Sequence, residues 1–236
     1  MNQQDKGLSH RSALCDRLAR QIETLRECES RYHRESGSVA LLAVSKTKPV
    51  HDIQAALHCG QTRFGENYAQ ELDAKAEALA DAAIEWHFIG PIQSNKTRII
   101  AARADWAHSV DRLKTAARLS RQRPEGAAPL QVCIQVNIDA ENTKSGVSLD
   151  QLPALCAEVV ELPNLVLRGL MCIPRPSPDF DQNRRQFARL RKALESLNAQ
   201  GYALDTLSMG MSGDFPAAIA EGATIVRIGT AIFGAR

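Results

Sequence analysis

Three groups of residues have types and spacing that could do chemistry. Lys46 closes the short apolar run VALLAVSK, Val39 to Lys46. A charge at the end of a buried run is costly, and burial disfavours the ammonium form, so the amine is expected to lose its proton more readily. A neutral amine is the nucleophile of Schiff-base chemistry. The same position also suits a lysine that reaches from a strand end into water. Far along the chain, Gly229 and Thr230 follow the apolar run TIVRI, and Ser212 follows LSMGM. Glycine lets an anion approach backbone N–H groups, and a hydroxyl adds a donor, so these residues suit a phosphate. A glycine turn that closes the last strand would look the same. Arg227 stands two residues before Gly229. A buried guanidinium faces an anion, a strong acceptor or a carboxylate partner inside the fold.

The elements that must position these residues alternate without a break. Strand-like runs are read at 39–46, 62–67, 85–90, 106–111, 130–138, 165–173, 206–211 and 224–234. Helical spacing is read between each pair, including the stripe Phe187, Leu190, Leu194 and Leu197. A further helix precedes the first strand, with Leu14, Leu18, Ile22 and Leu25 on its apolar face. Unbroken βα alternation implies parallel strands joined by right-handed crossovers. Eight such units in about 200–250 residues is the size of a (β/α)8 TIM barrel. A doubly wound open sheet competes, because spacing cannot show closure. Residues 1–236 read as a single barrel domain. The last strand is followed by almost nothing before Arg236, so the first helix is expected to cover the face that an eighth helix would cover.

On a barrel of this kind chemistry sits at the C-terminal ends of strands, with phosphate sites after strands seven and eight. Those ends hold Ser45 and Lys46, Glu66 and Asn67, Gly90, Asn137, Met171, Met211 and Ser212, then Gly229 and Thr230. The pattern is an amine after strand one, a phosphate grip on the opposite rim and an arginine between them. An aldehyde carrying a phosphate and a ring nitrogen would satisfy all three, and pyridoxal 5′-phosphate (PLP) is such a molecule.

Composition removes several other classes. The 236 residues are 44% hydrophobic and 24% charged, as in ordinary globular chains. Lys plus Arg number 29 against 27 Asp plus Glu, a net charge of +2, without the basic excess of a general nucleic-acid binder. No apolar run reaches the roughly 18 residues of a membrane span, and the N-terminus lacks a signal-peptide core, so a cytoplasmic chain is expected. The six cysteines are scattered and form no CxxC pair, so reduced, mostly buried thiols are expected. No dinucleotide or P-loop glycine motif is present. His87 and His108 fall on separate strands and read as packed or hydrogen-bonded strand histidines, with no metal set around them. The cluster Arg184, Arg185, Arg189, Arg191 and Lys192 reads as a solvated helix face.

Seven stretches together resemble the pyridoxal phosphate homeostasis protein family, also called the YggS or PROSC family. They are LLAVSKTKP (Leu41 to Pro49), RFGENYAQE (Arg63 to Glu71), WHFIGPIQSNK (Trp86 to Lys96), SVDR (Ser109 to Arg112), VNIDAENTKSG (Val136 to Gly146), RGLMCIP (Arg168 to Pro174) and the run from Leu207 to Arg236. The resemblance implies a barrel like the N-terminal domain of alanine racemase. It implies that Lys46 carries PLP as a Schiff base, and that Ser212, Gly229 and Thr230 hold the phosphate. It also implies that Arg227 faces the pyridine nitrogen, with Asn67 and Met171 lining the pocket. Lys48, beyond the strand end and before Pro49, is the rival amine.

An arginine opposite the ring nitrogen disfavours its protonation, which weakens the ring as an electron sink, though racemases of the related fold still work this way. Racemisation by two bases needs a group on each face of the substrate. In the racemase relatives the second base is a tyrosine linked to an added domain, for which this sequence has no counterpart. Of its three tyrosines, Tyr32 is read in the first helix, Tyr202 lies before strand seven, and Tyr68 alone falls near the cofactor face. The expected function is therefore a non-enzymatic, monomeric PLP carrier in vitamin B6 homeostasis, with no catalytic residue, that buffers PLP or delivers it to apo-enzymes. An amino-acid racemase-like PLP enzyme is the alternative, and a phosphate-binding barrel without PLP is the third reading.

Overall fold

The computed structural model describes residues 3–139 and 145–234, with side chains from residue 11 onward. Part of the stretch VNIDAENTKSG (140–144) and the last two residues of the C-terminal stretch lie outside the described residues. The strands are β1 (Ala40–Val44), β2 (Arg63–Glu66), β3 (Glu85–Phe88), β4 (Trp106–Val110), β5 (Leu130–Gln135), β6 (Leu165–Met171), β7 (Thr206–Met211) and β8 (Ile225–Ile228). They pair in chain order, all parallel, and β8 closes on β1. Closure removes the open-sheet alternative.

The helices are α1 (Gln3–Arg31), α2 (Val50–His58), α3 (Ala69–Ala78), α4 (Thr97–Arg103), α5 (Leu113–Gln122), α6 (Leu152–Val160), α7 (Phe180–Ala199), α8 (Phe215–Ala220) and α9 (Thr230–Phe233). The main core lies between this layer and the barrel wall. β1, for example, sends Leu41 and Ala43 into it, and α3 sends Leu72. A small separate cluster, Trp106, Cys133 and Met171, fills part of the barrel interior.

Four expectations change. The last strand does not run through to residue 234. It stops at Ile228, where Gly229 turns the chain (φ −116°, ψ −79°) and Thr230–Phe233 form one helical turn. The N–H groups of Ile232 and Phe233 reach back to the Gly229 carbonyl at 2.9 and 3.0 Å, and both side chains are buried. A strand continuing past the rim would have left them exposed. The first helix does cover this region: α1 packs on α2, α8 and α9, and Arg17 Nε donates to Ile232 O at 2.6 Å. Its buried residues include Leu14, Leu18, Leu25 and Cys28, whereas Ile22 turns outward and is 36% exposed. Tyr32 follows α1 rather than lying in it, and stacks on Phe180.

The fourth change concerns the cysteines. Cys15 of α1 and Cys59, the residue after α2, form a disulfide with 5.6 Å between Cα atoms. They are 44 residues apart, and only the packing of α1 along α2 brings them together. Cys28, Cys133, Cys156 and Cys172 are buried thiols. Burial pushes the Cys133 and Cys156 thiols up to about 12, so neither is a nucleophile near neutral pH. Among the described residues, no helix is long and apolar enough to cross a membrane, and no group of three or more His, Cys, Asp or Glu side chains could hold a metal ion.

Candidate functional site

β1 is wholly apolar, ALLAV, and the chain leaves the barrel wall at Ser45. Lys46 is half-buried there, and among the described residues its amine makes no hydrogen bond or ion pair. The backbone on either side of it is tied down. Ser45 Oγ donates to Glu66 Oε1 at 2.6 Å. Lys75 of α3 donates to Ser45 O at 2.8 Å, Glu66 Oε1 at 2.8 Å and Glu71 Oε2 at 2.9 Å. Thr47 adopts φ +63°, unusual for a β-branched residue. Its N–H donates to Glu71 Oε2 at 2.7 Å, which holds the turn. Burial pushes the Glu66 carboxyl up, and the hydrogen bonds from Lys75 and Ser45 only partly offset it. Burial also opposes ionisation of Glu71, but bonds from Lys75 and the Thr47 N–H outweigh it and hold that carboxyl below its ordinary value.

The rival amine is committed elsewhere. Lys48 Nζ lies 3.0 Å from Gly234 O and 3.4 Å from Phe233 O, where it caps the carbonyl end of α9. A lysine ammonium donates well to such carbonyls.

Gly229 follows β8 directly, and β8 pairs with β1 through Ala43 and Ile228. The glycine turn is therefore a neighbour of the β1 end and not on the opposite rim, as the linear spacing had suggested. A Cβ at Gly229 would meet Val44 O at 3.2 Å, so the two strand ends approach closely through this glycine. Thr230 is exposed, and as the first residue of α9 its N–H has no partner within the helix. Ser212 is exposed in the turn between β7 and α8. That turn is locked by Asp214, whose Oδ1 accepts from Met211 N at 2.6 Å. Asn67 is half-buried at the end of β2, and its Oδ1 is buried without a partner among the described residues. It also borders a cavity of about 180 Å³ with Tyr68, Phe88 and Lys96.

Arg227 points inward and is 4% exposed. Its partners are not carboxylates. Nη1 donates to Ser208 O at 2.6 Å and Ser208 Oγ at 2.7 Å, and Nη2 donates to Cys172 O at 2.8 Å. Three bonds leave at least two of its five N–H donors for something else. Met171 is fully buried against Trp106 and Cys133, so it lies in the interior beneath the rim. The structure thus gathers Lys46, Asn67, Ser212, Gly229 and Thr230 at the C-terminal mouth, with Arg227 and Met171 inside. Sequence reasoning missed Glu66, Glu71, Lys75, Ser208 and Asp214. Of these only Glu66 stood at a predicted strand end.

The donor set fits an aldehyde that carries a phosphate and a pyridine ring. Among the described residues, an amine without a partner, a buried amide oxygen without a partner, a glycine-opened turn beside a helix start and a guanidinium with unused donors are groups that suit such a molecule.

The fold belongs to a recognised class, since the family model of the alanine racemase N-terminal domain matches residues 15–236. The chain is 54% identical over 225 residues to the pyridoxal phosphate homeostasis protein of Pseudomonas aeruginosa, spanning 95% of this chain and 96% of that one. It is 48% identical over 222 residues to the protein of that name in Escherichia coli, spanning 93% and 95%. Among solved structures, PipY of Synechococcus elongatus with PLP bound matches with TM-score 0.81 and 36% identity, over 94% of this chain and 100% of that one. Alanine racemase of Corynebacterium glutamicum, 18% identical with TM-score 0.69 over 94% of this chain and 62% of that one, shares the fold. The chain belongs to the pyridoxal phosphate homeostasis protein family.

Proposed function

We propose that this protein binds PLP at the C-terminal mouth of its barrel and serves intracellular vitamin B6 homeostasis as a reversible carrier. PLP supplies an aldehyde that condenses reversibly with an amine. Lys46 is the amine, and the observation that carries the reading is its unpaired, half-buried side chain on a clamped turn beside Gly229. Ser212, Gly229 and Thr230 hold the phosphate with hydroxyls and backbone N–H groups. Arg227 turns its remaining donors to the ring nitrogen, Met171 supports the ring from below, and Asn67 offers its buried amide oxygen at the edge.

Residues 1–236 act as one cytoplasmic barrel domain, a monomer that buffers PLP or hands it to apo-enzymes. The relatives' name supports homeostasis over catalysis. Borohydride reduction of the PLP-loaded protein followed by peptide mapping tests the site, and label on Lys46 is expected. Label on another lysine would refute the assignment. Incubating the loaded protein with amino acids in D2O tests the carrier role. Catalytic exchange at Cα over many turnovers would establish a racemase-like enzyme instead, with Tyr68, 51% exposed beside Asn67, as the candidate second base.

A further inference from the structure

The barrel interior carries an unbroken chain of hydrogen bonds that ends at Arg227. Ser208 Oγ is 2.7 Å from His108 Nδ1, His108 Nε2 is 2.8 Å from His87 Nδ1, and His87 Nε2 is 2.7 Å from Glu85 Oε1. The chain crosses the barrel, because His108 is on β4 and Ser208 on β7, strands that do not pair. Both imidazoles and Ser208 are fully buried.

Proton positions follow from what each group can do. Arg227 only donates, so Ser208 Oγ accepts from it. The ionised Glu85 carboxylate can only accept, so each neutral imidazole donates toward it, and the hydroxyl proton of Ser208 goes to His108 Nδ1. His108 carries its proton on Nε2 and donates to His87 Nδ1. His87 carries its proton on Nε2 and donates to Glu85. Ser208, His108 and His87 each donate once and accept once along the chain, which runs from a buried guanidinium to a carboxylate. Burial favours the neutral form of both imidazoles, which this order requires.

We propose that Ser208, His108 and His87 are positioning residues that fix the Arg227 guanidinium for the cofactor ring and couple it to Glu85 at the N-terminal mouth. This rests on the PLP reading above. Glu85 borders a cavity of about 390 Å³ at that mouth, lined also by Arg63, Arg168 and Asp205. Arg63, Asp105 and Arg168 are the other charged groups acting on the Glu85–His87 end. His108, Cys133, Cys172 and Asp214 are the titratable groups around Arg227.

The test begins with the cofactor-free protein. Nitrogen-15 NMR should show both histidines as Nε2–H tautomers from pH 6 to 8, and an Nδ1–H tautomer or a titrating ring would overturn the chain. PLP is then titrated into wild type, Ser208→Ala, Glu85→Gln and the double variant. Ser208→Ala removes two buried hydrogen bonds, and the loss of the one to Arg227 should weaken PLP binding about fivefold. Glu85→Gln removes a negative charge and should lower the pH midpoint of the bound cofactor's visible band, without lowering the melting temperature by more than a few degrees. If the effect travels along the chain, the Glu85→Gln shift should fall by more than half in the Ser208→Ala background. An equal shift in both backgrounds is plain long-range charge and overturns the coupling. Wild-type affinity and midpoint in both single variants overturn the positioning role. A wild-type protein that gains no visible band with PLP overturns the cofactor reading, and this proposal with it.

Discussion

Replacing Lys75 with methionine tests how Lys46 is held. The substitution keeps most of the side chain's volume and removes three hydrogen bonds, of 2.8, 2.8 and 2.9 Å. It leaves Glu66, 0% exposed, without its cation. Stranding one member of a buried ion pair costs about 3–5 kcal/mol. Glu66 can escape part of this by holding a proton, since burial already raises its carboxyl. The expected loss is therefore near the lower figure, about 3 kcal/mol. Its pH dependence has a definite sign. A carboxyl raised in the folded state binds more protons there than in the unfolded chain, so stability falls as pH rises above the ordinary carboxylate range. The variant should be closest to wild type at pH 5 and furthest from it at pH 8. Adding Glu66→Gln should recover much of the loss at pH 8. Urea unfolding at both pH values measures this, and PLP titration should show about tenfold weaker binding as Ser45 O loses its anchor and Glu71, which holds the Thr47 N–H, loses its cation. A Lys75→Met protein within about 0.5 kcal/mol of wild type at pH 8 would refute the clamp.

Lys46→Ala should fold normally and lose the visible absorbance that wild type gains with PLP, while keeping weak phosphate-dependent binding; an undiminished band moves the amine elsewhere. Glu29 is buried and accepts from Gly37 N at 3.0 Å, Val39 N at 2.7 Å and Arg26 at 2.6 Å. Burial opposes its ionisation, yet these bonds hold the carboxyl below its ordinary value. Its stabilisation is thus full above the ordinary carboxyl pKa and fades as pH falls through the lowered value, so Glu29→Ala should cost about 1–3 kcal/mol at pH 7 and progressively less in acid-titration melts. The Cys15–Cys59 bond closes 44 residues, for which chain entropy alone gives about 4 kcal/mol. Reduction, or Cys15→Ser, should lower the melting temperature measurably, and an unchanged melt with intact mass on non-reducing peptide maps would refute the linkage.

The alternation of apolar runs made the barrel legible, because strands buried on both faces leave a continuous apolar signature. Strand ends were legible for the same reason, and with them Lys46, Asn67 and Ser212. The residues that hold Lys46 were not. Lys75 sits on a helix among ordinary charges, and nothing in QELDAKAEA separates a buried triad from a solvated i,i+4 pair. The histidines were assigned to strands and to hydrogen bonding, but alternation does not say that His108 and Ser208 meet across the barrel, since that contact depends on closure. Closure also decides that the ends of β1 and β8 are neighbours. The Cys15–Cys59 pair fails on the same ground, as helix-to-helix packing leaves no trace in cysteine spacing.

The three lysines near the end of β1 differ in what surrounds them. Lys75 is enclosed by two carboxylates and a carbonyl, a setting that keeps an ammonium charged and immobile. Lys48 sits on the carbonyl end of α9, where the helix dipole also favours a cation. An amine in either place would give up favourable contacts to become a neutral nucleophile. Lys46 would give up none among the described residues, and its backbone is fixed on both sides by the group that enlists Lys75. The apolar sequence of β1 and the turn at Thr47 therefore leave one amine without a partner at its tip, among the described residues, and rigid at its root, which is the arrangement that the reversible capture of an aldehyde proposed above requires.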